Sequence, residues 1–159
     1  RYRGSGSGCI VPYFLTQLAE ARAQRSEFDR ALQDLEDARG LIAQSGEAVA
    51  AAEVERVDGD VRLLRARARP DGLDRKEAVE IERRYRRAVE IARGQGARLF
   101  ELRALTALVR LREEREESSE ARGLLQAALA RMPSREGIRD VDEARHVLDS
   151  VHPPPMMVG

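Results

Sequence analysis

Apolar residues recur every three or four positions in seven successive segments of the chain, which is the spacing of one face of an α-helix. Glycine, proline and serine interrupt the pattern between segments, and no segment alternates as a β-strand does. We therefore predict seven helices and an all-α fold. Examples of the predicted apolar faces are Phe14, Leu15, Leu18 and Ala21 in the first helix, and Val141, Ala144, Val147, Leu148 and Val151 in the last.

The fifth segment, Arg98 to Arg112, is apolar on nearly every side. Its two richest faces are Leu99, Leu102, Leu105 and Val109, and Phe100, Ala104, Ala107 and Leu111. A helix of this kind must be covered by several neighbours. We expect it to be the central helix, with Ala107 buried between helices, so that Ala107→Arg would strongly destabilise the fold.

Residues suited to helix ends mark the predicted boundaries. Pro12 fits a first helical turn, and Ser26 is expected to be the N-cap of the second helix. Asp74 with Glu77, and Asp140 with Glu143, have the spacing of a capping box.

These signals divide the chain into a glycine- and serine-rich linker at 1–11, a helical domain at 12–151 and a proline-rich tail at 152–159. Because the breaks between segments are short, consecutive helices should pack as neighbours. The predicted hairpins are 12–46, 48–96 and 98–133, followed by a closing helix at 140–151.

The second helix of each predicted hairpin shares one spacing of apolar residues, which allows close helix packing. The three sets are Ala31, Leu35, Ala38; Ile81, Tyr85, Ala88; and Ala121, Leu125, Ala128. With Gly59 at a further small-residue position, the pattern resembles a degenerate tetratricopeptide array. The resemblance implies a right-handed array of antiparallel helix hairpins with a C-terminal capping helix. The alternative is an unrelated helical bundle.

Three phrases carry a closer resemblance: PYFLTQLAEA (12–21), AVEIARGQGARLFELRAL (88–105) and EARGLLQAAL (120–129). They are similar to the C-terminal helical repeats of large bacterial signalling regulators. In that family an adenylate/guanylate cyclase or DNA-binding domain is joined to a signal-transduction ATPase of the STAND type. The resemblance implies that this chain is part of a larger regulator and takes no part in cyclase or ATPase chemistry, because neither domain's motifs are present.

Composition and charge narrow the expected partners and compartment. The chain has 28 basic and 28 acidic residues, so it lacks the basic excess of most nucleic-acid binders. A single cysteine, Cys9, excludes an internal disulfide, and no apolar run is long enough to span a bilayer. We expect a cytoplasmic protein that does not contact membranes.

Few residues are candidates for chemistry. Glu143 and His146 lie one helical turn apart, but a carboxylate-bridged metal site needs a second such pair, which the sequence lacks. Cys9 has no histidine near it for a catalytic dyad. Tyr85 lies among four arginines, but it could stack on a nucleic-acid base only if it were exposed. We predict no enzyme, no metal and no cofactor.

The inner face of the repeat array is the predicted functional surface, because the first helices of tetratricopeptide hairpins line a concave groove. Its mixed charge suits a protein or peptide segment, or other domains of the parent chain. The alternative is a stand-alone helical bundle that binds nucleic acid or a small ligand. We also expect self-association through the N-terminal end. The predicted groove residues are Tyr13, Gln17, Glu20, Glu53, Arg56, Asp60, Arg103, Thr106 and Arg110.

Overall fold

The computed structural model describes residues 10–133 and 137–150, and within these ranges the chain forms seven helices and no strand. The predicted all-α class is therefore confirmed. The helices are α1 (Ile10–Gln24), α2 (Phe28–Ser45), α3 (Ala51–Arg67), α4 (Arg75–Gln95), α5 (Arg98–Glu113), α6 (Ser119–Ala130) and α7 (Arg139–Asp149). The first helix begins inside the predicted linker, and most of that linker and the predicted tail lie outside the described residues.

The two ends of α4 show how local sequence sets a helix boundary. Asp74 accepts a hydrogen bond from the Glu77 amide at 2.8 Å, and the Glu77 carboxylate accepts one from the Asp74 amide. This capping box satisfies amide groups that have no partner within the helix. Gly96 ends the helix with φ at +65°, a left-handed conformation that glycine adopts without steric cost.

Two other predicted caps are wrong. Glu27, not Ser26, occupies the N-cap position of α2, and Ser26 has a φ of +61° just before it. At α7 the N-cap is Ile138, so Asp140 and Glu143 do not form a capping box. The Asp140 carboxylate instead accepts a hydrogen bond from Arg103 on α5. A tertiary ion pair has replaced the local interaction that the spacing predicted.

The helices pack in two rows. In the first row, α1, α3, α5 and α7 contact one another in that order. In the second row, α2, α4 and α6 each contact only the two first-row helices adjacent to them in sequence, as far as the described residues show. Each helix therefore packs mainly against its neighbours along the chain.

Two apolar clusters form the core. The smaller one joins α1, α2 and α3, and the larger one runs from the end of α3 to α7. The central helix α5 contacts α3, α4, α6 and α7, which confirms that it is covered on several faces. Its fully buried apolar residues are Leu102, Ala104, Leu105, Leu108, Val109 and Leu111. None of the helices in the described part of the chain has the length and apolar character needed to cross a bilayer.

Candidate binding groove

A cavity of about 540 Å³ opens along the first row of helices, and we refer to it as the groove. All four first-row helices contribute to its walls, and Tyr85 reaches it from α4. The lining residues are Tyr13, Gln17, Glu20, Gln24, Arg56, Asp60, Leu63, Leu64, Arg67, Tyr85, Arg103, Thr106, Ala107, Arg110, Arg139, Asp140 and Glu143.

The structure brings the predicted groove residues together. Tyr13, Gln17, Glu20, Arg56, Asp60, Arg103, Thr106 and Arg110 all line the groove. Glu53 is the exception, because it is completely buried and does not line the cavity. Thr106 is also largely buried, and its hydroxyl donates to the Leu102 carbonyl one turn earlier. Whether these residues bind a partner stays a prediction.

Arg56 is the centre of the charged network in the groove. Its guanidinium donates to both oxygens of Glu53, at 3.0 and 2.9 Å. It also donates to Glu20 at 2.7 Å and to Asp60 at 2.6 Å, so three carboxylates share one cation. Only 12% of the Arg56 side chain is exposed. A guanidinium suits this position because its planar array of donors can serve several carboxylates at once.

Arg103 connects the buried carboxylate to the last helix. Its guanidinium donates to Glu53 at 3.2 Å and to Asp140 at 2.9 Å, which joins α3, α5 and α7. The same guanidinium lies 5.7 Å from the ring centroid of Phe100, within range of a cation–π contact. Phe100 in turn stacks on Tyr13, with the centroids 6.4 Å apart. These contacts link α1 directly to α5 at one end of the groove.

Tyr85 reaches the groove from the second row of helices. Its hydroxyl donates to Asp60 at 2.7 Å, although only 1% of the residue is exposed. The ring lies against Gly59, where a Cβ atom would come within 2.5 Å of Tyr85 Cε1. The absence of a side chain at Gly59 therefore creates the space through which Tyr85 reaches Asp60.

Burial and neighbouring charges together shift the pKa values in this network. Burial lowers the pKa of Arg56, but the carboxylates of Asp60, Glu53 and Glu20 more than offset it, so the net pKa is raised. Burial raises the pKa of Asp60 above its ordinary value, against the opposing effects of Arg56 and the Tyr85 hydroxyl. Burial and the nearby Asp60 also raise the pKa of Tyr85 well above 10, so its hydroxyl remains a donor.

Both carboxylate oxygens of Asp60 already accept hydrogen bonds within the groove. One oxygen of Asp60 accepts from Tyr85 and the other accepts from Arg56. A general base needs an oxygen that is free to accept a proton from a substrate. Neither oxygen of Asp60 is free of a hydrogen bond from the protein. The more exposed side chains, Arg110 and Arg139, lie near Glu143 at 4.0 and 3.0 Å. The walls thus present charges of both signs, held in place by ion pairs.

Sequence reasoning missed several lining residues for identifiable reasons. Gln24 and Arg67 continue the helical spacing of predicted positions, and they could have been found by extending it one turn beyond Glu20 and two turns beyond Asp60. The spacing of Asp140 and Glu143 predicts a cap, and the position of α7 predicts a closing helix, so neither signal indicates that α7 lines the groove. Tyr85 belongs to a second-row helix. The only sequence feature that indicates its contact with α3 is the glycine at position 59.

The expected burial of Ala107 is wrong. This residue is half-buried, packs against the edge of the larger core cluster and lines the groove. An arginine at this position could extend into the cavity. The predicted strong destabilisation by Ala107→Arg therefore no longer follows from the structure. Ala104, three residues earlier, is fully buried and is the position where such a charge would be costly.

Tyr85 is not available for stacking on a nucleic-acid base, because it is buried. Two of the arginines that flank it lie near acidic neighbours, Arg84 near Glu55 and Arg86 near Glu82. Within the described ranges, no three His, Cys, Asp or Glu residues form a group that could hold a metal ion. Cys9 lies outside those ranges.

Comparison of the chain with protein-family models, with curated proteins and with solved structures finds no match in any of the three.

Proposed function

We propose that this chain is a non-catalytic interaction module that binds a protein or peptide segment in the groove. The observation that carries the proposal is the groove itself, which is built from one face of four successive first-row helices. A surface of this kind is continuous along the array, so an elongated ligand can contact several helices at once. We further propose that the two rows form a tetratricopeptide-like, right-handed array of helix hairpins closed by α7, which the neighbour-to-neighbour packing supports.

The ion pairs support binding by a preformed surface. Arg56 and Arg103 are each held by at least two carboxylates, so few side chains need to be ordered when a ligand arrives. Binding then costs less conformational entropy than it would on a flexible surface. Apolar area from Leu63, Leu64 and Ala107 lies among these charges, and a peptide with mixed polar and apolar side chains would match that lining.

A small ligand is the second candidate, because the cavity volume falls within the range of small-molecule sites. Such sites, however, are mostly apolar and enclose their ligand. Here the cavity is open and charged residues line much of it, which favours a peptide chain that lies along it.

The test is a selection of peptide ligands from a random displayed library on the immobilised chain, followed by affinity measurement in solution. Gln17→Trp places a large ring on the groove wall and should weaken binding at least tenfold. Gln126→Trp is the matched control, because Gln126 is an exposed glutamine on α6 that does not line the groove. Peptides that bind both variants as well as the original chain would refute the groove as the binding site.

The resemblance to bacterial signalling regulators leads to a wider proposal. The chain would act as a sensor or scaffold in the cytoplasm, joined to a signal-transduction ATPase or a cyclase domain, and the groove could then also receive other domains of the parent chain. The sequence encoded upstream of Arg1 tests this directly. A phosphate-binding ATPase motif there would support the proposal, and an unrelated reading frame or a start codon there would refute it.

A further inference from the structure

The first helix has three distinct faces. Pro12, Thr16, Ala19 and Ala23 are buried against the fold, while Tyr13, Gln17, Glu20 and Gln24 line the groove. The third face is apolar and open to solvent. Its residues Val11, Phe14 and Leu18 are 47%, 62% and 41% exposed, and Ile10 beside them is 50% exposed. We refer to Val11, Phe14 and Leu18, with Ile10, as the α1 patch.

The α1 patch carries no charge. From Ile10 to Ala19 the helix has no acidic or basic residue, in a chain of which 35% of the residues are charged. The next charged residue, Glu20, lies on the groove face and is bound to Arg56 at 2.7 Å. Three large apolar side chains exposed together on one uncharged helix face are characteristic of a contact surface.

The packing of the other first-row helices indicates which kind of neighbour covers such a face. Each of α3 and α5 is covered by the pair of helices that precedes it. Among the described helices, α1 packs closely against α2 and α3, and it reaches α5 only through the stack of Tyr13 on Phe100. The described residues at the opposite end of the array do not offer an apolar cover for a second copy. Besides Arg139 on the groove side, the exposed residues of α7 are Asp142, Arg145, His146 and Asp149, which would have to lose water against apolar side chains.

We propose that the α1 patch pairs with the α1 patch of a second copy of this chain, with the two helices antiparallel about a two-fold axis. A two-fold contact places the same surface opposite itself. Because the chain is highly charged, most of its faces would place like charges against each other in this arrangement. The α1 patch has no charged side chain and avoids this repulsion. The antiparallel orientation also aligns the two helix dipoles favourably.

The register follows from the position of the patch. Its large side chains run from Val11 to Leu18, so the axis passes between Phe14 and Leu15. Val11 of each copy then lies beside Leu18 of the other, and the two Phe14 rings meet near the axis. A contact built mainly on one helix of 15 residues is small, so the dimer should form reversibly with concentration. It leaves the groove open, because the groove residues of α1 lie on another face.

Sedimentation equilibrium over a range of protein concentrations tests this proposal. The unmodified chain should dimerise. Val11→Glu and Leu18→Lys should each be monomeric, because each buries an unpaired charge in the contact. Their equimolar mixture should dimerise again, since the introduced carboxylate of one variant faces the introduced ammonium of the other.

Val79→Glu is the matched control. Val79 lies on α4 and is 47% exposed, the same fraction as Val11, so this variant should dimerise as the unmodified chain does. Helix content measured by circular dichroism should be the same in all variants, because the changed side chains are exposed. A chain that is monomeric at every concentration would overturn the proposal. This holds also if the monomer binds lipid vesicles. A dimer that survives Val11→Glu, or a mixture that stays monomeric, would overturn it as well.

Discussion

Gly59 and Tyr85 fit together so closely that a single methyl group at position 59 would lie 2.5 Å from Tyr85 Cε1. Tyr85 cannot easily move away, because it is 1% exposed and its hydroxyl is bound to Asp60. The pair therefore allows α3 and α4 to approach closely at this point and brings Tyr85 to the wall of the groove.

Gly59→Ala should destabilise the fold. Overpacking in a close-packed core costs about 1–3 kcal/mol, and alanine returns up to about 1 kcal/mol of helix propensity. We expect a lower midpoint of urea unfolding. Gly40→Ala is the control, because Gly40 is also inside a helix and has no atom within 4 Å of the added Cβ. This change should raise the free energy of unfolding by about 0.5–1 kcal/mol, and the midpoint of urea unfolding should rise with it. Equal effects of the two changes would contradict the close packing.

Arg56→Met should cost about 3–5 kcal/mol, because it leaves Glu53 in a completely buried position with fewer positive partners. Chemical denaturation measures the change. Arg30→Met is the comparison: Arg30 also pairs with a glutamate, but 76% of its side chain is exposed. A pair of that kind contributes about 0–1 kcal/mol. If both substitutions cost the same, Arg56 does not hold the network together.

The stack of Tyr13 on Phe100 should contribute about 0.5–1.5 kcal/mol beyond the area that the rings bury. A double-mutant cycle with Tyr13→Leu and Phe100→Leu measures this coupling, because it subtracts the separate effect of each change. Replacing Phe28 by leucine together with Tyr13→Leu gives a control cycle, since Phe28 packs in the smaller cluster without an aromatic stack to Tyr13. The effects in that cycle should simply add.

Stability should fall in acid partly through Asp58. Burial alone would raise its pKa, but hydrogen bonds from Arg62 and Arg39 more than offset this, so the pKa lies below 3.8. A carboxylate whose pKa is lowered by folding stabilises the fold above its unfolded value, and this contribution is lost as the pH falls through the folded value. Asp58→Asn should therefore cost about 2 kcal/mol at pH 7, and the cost should decrease as the pH falls below 3.8 toward the folded pKa.

Asp60 should show the opposite dependence, because its pKa is raised on folding. Its protonated form favours the folded chain, so its contribution to stability decreases as the pH rises above 3.8. Asp60→Asn removes that contribution and should make the loss of stability in acid steeper. Unfolding free energies of both variants between pH 3 and pH 7 provide the comparison. A parallel shift of the two curves would contradict the assigned directions.

The sequence by itself determined the number of helices, most of their boundaries and the apolar side of most of them. It could do so because these properties depend on periodicity and on residues only a few positions apart. The stripe of α4 illustrates this, since Ala78, Ile81, Tyr85, Ala88 and Ala92 are all buried as predicted. The sequence also grouped eight residues that line one groove, because the same spacing that buries one face of a first-row helix turns another toward the cavity.

The tertiary structure alone decided how charged residues on different helices pair. Asp140 has the local spacing of a cap, yet it accepts a hydrogen bond from Arg103, 37 positions earlier in the chain. With 28 basic and 28 acidic residues, very many pairings are compatible with the sequence, and only the packed positions of the helices select among them. The complete burial of Glu53 and the half-burial of Ala107 were decided in the same way. Each depends on which helices come to lie beside that residue in space, and periodicity along one helix does not encode this.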